Sequence, residues 1–211
     1  MKTALLIGSS GLVGSELLKQ LLQSENYKKI ILLNRKRYAH QDAKIEERLI
    51  HFDAPDLSGI VVQDVFCAIG TTLRKAGSKA VQFKIDCEYP LTLAKLLKAQ
   101  GAEQFILVSS LGANPDSSNF YLRTKGQLEK GLKDLNYRST VILRPSLLMG
   151  KRQEFRFGER LGILVMNIIA PLFLGPLRKY RGVQAKAVAS RMIEAASRGN
   201  KGLLILESDK I

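Results

Sequence analysis

A tyrosine and a lysine four residues apart are the side chains in this sequence best suited to acid–base chemistry. Tyr121 and Lys125 lie in "YLRTK", and residues four apart on a helix share one face. An ammonium group beside a phenol favours the phenolate, so Tyr121 is expected to exchange a proton with a carbonyl or alcohol oxygen. In "VSSLGA", Ser110, with Ser109 as the reserve, supplies a hydroxyl that would hold the same oxygen.

The Tyr-Lys spacing alone is a weak signal. Of the six tyrosines, only Tyr121 is followed by a lysine four residues later. A surface helix that starts with a half-buried tyrosine would give the same pattern, and that alternative stays open if the pair is considered alone. Lys125 would also be suited to binding a ribose hydroxyl of a cofactor.

A glycine-rich stretch near the start, "LLIGSSGLVGSELL", predicts a binding site for the diphosphate of a dinucleotide. Gly8, Gly11 and Gly14 follow an apolar run and open a helical pattern. In such a unit the first glycine allows a tight turn, the second lets the backbone approach a pyrophosphate, and the third lets helix and strand pack closely. The helix N-terminus would then hold the phosphate charge. An ordinary strand–helix turn is the alternative, and the strand–helix alternation that follows favours the phosphate site.

The end of the second predicted strand favours a phosphorylated dinucleotide. An NAD site commonly has an acid about 20 residues after the glycines, but Asn34 stands there and Arg35, Lys36 and Arg37 follow it. Because arginine binds phosphate bidentately, Arg35 and Lys36 are expected to contact the 2′-phosphate of NADP(H). For Lys36 and Arg37 a solvated basic loop is the alternative. Asp53, after the third strand, is expected either to bind the adenine amine or only to end the strand.

Short apolar runs that alternate with helical patterns predict the elements that position these residues. The runs are continuous rather than alternating, as is typical of buried parallel strands. Strands are predicted at 3–7, 29–34, 48–52, 64–69, 104–109 and 139–144, with a final edge strand at 202–208. Helices are predicted at 11–23, 79–99, 122–134 and 184–198. This order predicts a three-layer α/β fold, in which a doubly wound parallel sheet carries helices on both faces.

The segment "AIGTT" ends the fourth predicted strand at the same edge of the sheet as the glycines. Its small residues would let a cofactor pass close to the backbone, which makes Ile69, Gly70 and Thr71 candidate contacts.

Length and composition indicate a single globular domain of 211 residues, of which 45% are hydrophobic. The composition changes after Pro145, so residues 151–182 are expected to form a small substrate or lid segment. The net charge of +14 is scattered, so no specific nucleic-acid partner is expected. The apolar run at 161–177 is interrupted by prolines and is too short to span a membrane.

The two cysteines predict a reducing environment. Cys67 and Cys87 lie in apolar segments and have no metal-ligand spacing with each other or with the two histidines. Buried reduced thiols favour a cytoplasmic protein without a disulfide framework, and no metal site is predicted.

Together these motifs resemble those of an atypical short-chain dehydrogenase/reductase of the Tat-interacting-protein-like, NAD(P)H-binding branch. The resemblance covers nearly the whole chain and rests on "GSSGLVG", "LLNRK", "AIGTT", "VSSLGANPDSSNFYLRTKGQLE" and "RPSLLMGKRQEFRFGE". It implies a Rossmann fold that binds NADPH, with Tyr121 as proton donor or acceptor beside Lys125. The cofactor contacts that it implies are Ser10, Gly11, Leu12, Val13, Arg35, Lys36, Ile69, Gly70, Leu148 and Arg156.

The leading hypothesis is an NADPH-dependent reductase of a small carbonyl compound, which is expected to be a monomer or a homodimer. In one departure, "FKIDCEYP" has Asp86 near the position at which classical relatives carry an asparagine that supports a proton relay. A non-catalytic NADPH-binding regulator or partner-binding protein is the alternative function, and it would keep the glycines and Arg35 without needing Tyr121.

Overall fold

A parallel seven-stranded sheet forms the centre of the computed structural model, which describes residues 1–37, 42–150 and 179–211. The strand order is β3-β2-β1-β4-β5-β6-β9, and all six neighbouring pairs are parallel. Because the order reverses between β1 and β4, a crevice opens at their carboxyl ends, where doubly wound sheets bind ligands. The strands are β1 (Lys2–Ile7), β2 (Tyr27–Asn34), β3 (Ile45–Leu49), β4 (Asp64–Cys67), β5 (Gln104–Val108), β6 (Ser139–Arg144) and β9 (Gly202–Glu207).

Helices cover both faces of this sheet, which confirms the predicted doubly wound fold. On one face Leu17 of α1 and Met192 of α6 are buried against the sheet, and on the other Leu93 of α4 and Leu128 of α5 are buried. The final strand, β9, lies at the edge as predicted. The helices are α1 (Leu12–Gln23), α2 (Leu73–Ala76), α3 (Lys79–Phe83), α4 (Tyr89–Ala99), α5 (Phe120–Asp134) and α6 (Ala185–Arg198).

The third strand lies three residues earlier than predicted, at Ile45–Leu49 rather than 48–52. It pairs along β2, with Asn34 opposite Leu49. Its sequence, "IEERL", is polar because it is an edge strand, and the apolar pattern therefore pointed to the wrong residues. Ile50 and Phe52 follow the strand and pack against the core from the loop.

The helical stretch predicted at 79–99 contains a π-turn. Lys84–Glu88 form this π-turn between α3 and α4, and the Tyr89 N–H donates to the Lys84 carbonyl five residues before it. Such turns are rare, and they occur frequently at functional sites.

The segment predicted as a lid, 151–182, lies largely outside the described residues. Strand β7 (Leu148–Met149) comes just before this segment and β8 (Val183–Gln184) directly after it, and the two strands pair in parallel. Within the described ranges, none of the helices is long and apolar enough to cross a membrane.

Candidate cofactor and catalytic site

The glycine turn brings β1, α1 and the end of β4 into close contact. Gly8 has a φ of +90°, and a Cβ there would lie 2.8 Å from backbone atoms of Ala68 and Ile69. A Cβ on Gly14 would lie 1.9 Å from the Gly8 carbonyl oxygen, which also accepts a hydrogen bond from the Gly11 N–H at 3.0 Å. Glycine is therefore required at positions 8 and 14 for the turn to remain this tight.

The turn leads directly into the N-terminus of α1, which begins at Leu12. Among the described residues, no side chain caps this end of the helix. The first N–H groups of a helix have no acceptor within the helix and carry its positive dipole end. The free N–H groups at this helix end are suited to a diphosphate, and the contacts expected for Ser10, Gly11, Leu12 and Val13 stay predictions.

Asn34 connects the glycine turn to the end of β2. The Ser9 hydroxyl donates to Asn34 Oδ1 at 2.9 Å, and Asn34 Nδ2 donates to Glu47 Oε1 at 2.7 Å. Asn34 and Ser9 are buried, whereas Arg35 and Lys36, which follow directly, are exposed. Two cations thus stand at the carboxyl end of β2, and a buried amide links that end to the glycine turn.

Asp53 joins the loop after β3 to the π-turn. Its carboxylate pairs with Lys84 at 2.6 Å and accepts from the Tyr89 hydroxyl at 2.8 Å. These two partners, Lys84 first, hold the pKa of the Asp53 carboxyl below its usual value. The predicted contact of Asp53 with adenine stays a prediction, and it would have to share the carboxylate with these partners.

Lys125 is buried close to Tyr121 and in the neighbourhood of Asp86. It is 3% exposed and Asp86 is fully buried, whereas Tyr121, in the first turn of α5, is 37% exposed. The Lys125 Nζ atom lies 6.0 Å from the centroid of the Tyr121 ring. Burial by itself would lower the pKa of Lys125, but the negative charges that Tyr121 and Asp86 can carry outweigh it, so the pKa is raised and the ammonium persists.

The loop after β4 connects this pair to the glycine turn. Its Thr71 N–H donates to Asp86 Oδ1 at 2.7 Å. A Cβ on Gly70 would lie 3.7 Å from that oxygen and 3.8 Å from Lys125 Nζ, so Gly70 stands against both groups. Because Gly8 contacts Ala68 at the start of the loop, the turn, the loop and the Tyr121–Lys125 pair lie along one edge of the sheet.

The two candidate serines have different partners. The Ser109 hydroxyl donates to the buried carboxylate of Glu129, which also accepts hydrogen bonds from Nε and Nη2 of Arg144. Ser110 is half-buried, and its hydroxyl makes a weak 3.4 Å contact with the Leu111 carbonyl. Ser109 is thus part of an ionic network beneath the site, and Ser110 is the better suited to reach a substrate.

The sequence motifs do not indicate every residue of the site, and one predicted residue lies outside the described ranges. The sequence marks Asp86 only as a departure from relatives, because the π-turn that buries it leaves no sequence pattern. The spacing of Lys125 and Glu129, four residues apart, could have indicated a shared helix face. Leu148 is half-buried on β7 and packs against the core, and Arg156 is outside the described residues.

Comparison with known proteins assigns this arrangement to a family. The profile of the "NAD dependent epimerase/dehydratase family" matches residues 4–208. The chain belongs to the NAD dependent epimerase/dehydratase family. The parallel sheet described above is the NAD-binding Rossmann fold of this family, whose members include NAD-dependent oxidoreductases and epimerases.

Two relatives within the family confirm the resemblance seen in the sequence. "Protein FMP52, mitochondrial" from Candida glabrata is 33% identical over 202 residues, which is 92% of this chain and 85% of that protein. "Protein HTATIP2" from Rattus norvegicus is 35% identical over 164 residues, which is 75% of this chain and 67% of that protein. The predicted Tat-interacting-protein-like branch is therefore correct.

Solved structures of other proteins share the fold at low sequence identity. MoeE5 in complex with UDP-glucose and NAD has a TM-score of 0.73 and 14% identity, and the match covers 97% of this chain and 75% of MoeE5. At this identity the likeness supports the Rossmann fold alone.

The expected cytoplasmic location is wrong. The matched relatives from Candida glabrata, Scheffersomyces stipitis and Aspergillus niger are all named as mitochondrial proteins. The expectation failed because it rested on reduced cysteines, which do not distinguish these compartments. Burial raises the pKa of Cys67 and of Cys87 to about 11, so both thiols stay protonated and inert in either one.

Proposed function

We propose that this chain is an NADPH-dependent oxidoreductase that reduces a small carbonyl compound. The observation that carries the proposal is a lysine, Lys125, buried beside Tyr121 at the edge of the sheet that also holds the glycine turn. Bound NADPH would supply hydride to the carbonyl carbon. An ammonium buried at this position would stabilise a phenolate that forms on Tyr121.

The proton step falls to Tyr121. Its phenol donates a proton to the carbonyl oxygen while that oxygen gains charge, and the hydroxyl of Ser110 holds the oxygen in place. The Lys125 ammonium then stabilises the phenolate that remains. General acid catalysis of this kind contributes about 10²- to 10⁴-fold to a rate.

The preference for NADPH rests on the end of β2. The exposed guanidinium of Arg35 is suited to a bidentate contact with a 2′-phosphate, and the exposed Lys36 adds a second positive charge. Asn34 stands where an acid would hold the ribose of NAD, and its amide engages the neighbouring Glu47 carboxylate. The positive charges of Arg35 and Lys36 favour a phosphate dianion over a bare ribose.

The test is a screen of aldehydes and ketones followed by NADPH absorbance, carried out with the wild type and Tyr121→Phe. Tyr121→Phe should lower turnover of any substrate found by at least about 100-fold and leave NADPH affinity nearly unchanged, because the phenol acts on the substrate oxygen. Tyr137→Phe is the matched control, since its buried hydroxyl donates to the Ala94 carbonyl, away from the site.

Two results would count against the proposal. Unchanged turnover in Tyr121→Phe would remove this residue from the mechanism. If the wild type binds NADPH but reduces no carbonyl in the screen, the non-catalytic NADPH-binding protein becomes the better account.

A further inference from the structure

The π-turn directs one carboxylate into the interior of the protein. Asp86 lies in the middle of Lys84–Glu88 and has no exposed surface. A buried carboxylate is costly unless hydrogen bonds and opposite charge compensate it. Thr71 provides such a hydrogen bond through its backbone N–H, at 2.7 Å from Oδ1.

A second helix brings the opposite charge to the same place. Asp86 Oδ1 and Lys125 Nζ both lie within 4 Å of the point at which a Cβ on Gly70 would stand. Lys125 comes from α5 and Asp86 from the π-turn, and both side chains are buried. The lysine proposed to act with Tyr121 therefore has a buried carboxylate in its neighbourhood.

The titratable groups that face Lys125 are few among the described residues. Tyr121 and Asp86 act on it most strongly, and the thiols of Cys67 and Cys87 follow. Both thiols are neutral below about pH 11. A carboxyl group ionises at lower pH than a phenol or a thiol, so Asp86 is the group of this set best suited to supply negative charge to the ammonium.

We propose that Asp86 is a positioning residue that keeps the Lys125 ammonium charged and fixed beside Tyr121. Through the Thr71 N–H it also fixes the loop after β4, against which a cofactor would lie. The catalytic part of this inference rests on the proposed reductase function, whereas the pairing of Asp86 with Lys125 can be tested in the protein alone.

Asp86→Asn separates charge from shape. The asparagine oxygen can still accept the Thr71 hydrogen bond, but the negative charge is gone. In protein labelled with ¹³C at lysine Cε, and with the Lys125 resonance identified from Lys125→Met, the pKa of Lys125 should fall by about one unit or more, a tenfold loss of proton affinity. The titration extends to the highest pH at which circular dichroism reports an intact fold.

The matched control is Asp64→Asn, because Asp64 is also fully buried but lies at the opposite, amino end of β4. It should leave the titration of Lys125 unchanged. If Lys125 titrates alike in the wild type and in Asp86→Asn, or stays charged in both over the whole range, Asp86 is not its counter-ion and the inference is wrong.

A double-mutant cycle keeps the test decisive if Asp86→Asn folds poorly. Lys125→Met removes the ammonium from beside a buried carboxylate, so Lys125→Met with Asp86→Asn should be more stable in urea than Lys125→Met alone. If the stability losses of the two single variants simply add in the double variant, Asp86 and Lys125 are not paired.

The positioning role has its own readout. With 4-nitrobenzaldehyde as the probe, or another carbonyl that the wild type reduces, Asp86→Asn should lower kcat by about tenfold or more and leave the Kd for NADPH nearly unchanged. If the kcat of Asp86→Asn equals that of the wild type, Asp86 has no positioning role. A wild type that reduces no carbonyl would defeat the proposed function, and the lysine titration would still decide the pairing.

Discussion

Gly14→Ala tests whether the glycine turn is as tight as its geometry indicates. The added Cβ would lie 1.9 Å from the Gly8 carbonyl oxygen, whereas ordinary contact begins at 3.4 Å. The atoms that this Cβ would meet, in Gly8 and Ser9, all belong to the backbone, so α1 and the turn must separate. Overpacking of this kind costs about 1–3 kcal/mol, and it opposes the gain of about 1 kcal/mol that alanine brings to a helix.

The same movement should damage cofactor binding more than folding. One lost hydrogen bond between a backbone N–H and a phosphate costs about 1.5–3 kcal/mol. Gly14→Ala should therefore weaken NADPH binding by about ten- to a hundredfold in a fluorescence titration.

Gly131→Ala is the matched control for this substitution. Gly131 also lies within a helix, but a Cβ there would meet side-chain atoms of Leu91, which can move. This variant should keep wild-type NADPH affinity and lose little stability in urea. A folded Gly14→Ala that binds NADPH as tightly as the wild type would refute the reasoning.

Two further predictions concern the 2′-phosphate and the thiols. Arg35→Ala should raise the Kd for NADPH by about ten- to a hundredfold and leave that for NADH unchanged, because only NADPH carries the phosphate. Arg138→Ala removes a similar charge just before β6 and should change neither Kd. If Arg35→Ala weakens the binding of NADPH and NADH equally, Arg35 does not contact the 2′-phosphate. Because burial raises the pKa of Cys67 and Cys87 to about 11 from 9.0, the unfolded chain releases these protons at lower pH than the folded chain. Stability in urea should therefore be constant below about pH 9 and fall toward pH 11, by up to about 3 kcal/mol per thiol. Cys67→Ala with Cys87→Ala should reduce that fall, and an unchanged fall would mean that other groups cause it.

The buried strands could be predicted from the sequence because their apolar runs are continuous. Residues 139–144 coincide with β6, and the runs for β1, β4 and β5 differ from the strands by one or two residues at an end. β3 could not be located in this way, because an edge strand needs no apolar side chains. Its pairing with β2 decides its position, and pairing leaves no trace in composition.

The candidate site was predictable wherever a motif fixes backbone geometry. The glycine spacing and the Tyr121–Lys125 spacing each follow from local rules, so the sequence alone pointed to both. The approach of Asp86 and Lys125 to the same side of Gly70 depends on a π-turn and on the packing of two helices. Likewise, the separate roles of Ser109 and Ser110 depend on Glu129, which reaches Ser109 from another element. Such contacts between distant segments are set by tertiary structure.

A crystal structure of this protein with NADPH bound tests the central claim most directly. The account predicts that the diphosphate lies against the backbone of residues 8–14 and that the 2′-phosphate contacts Arg35. It also predicts that the nicotinamide lies between Gly70 and Tyr121. Electron density for the cofactor at any other place, with the glycine turn uncontacted, would contradict it.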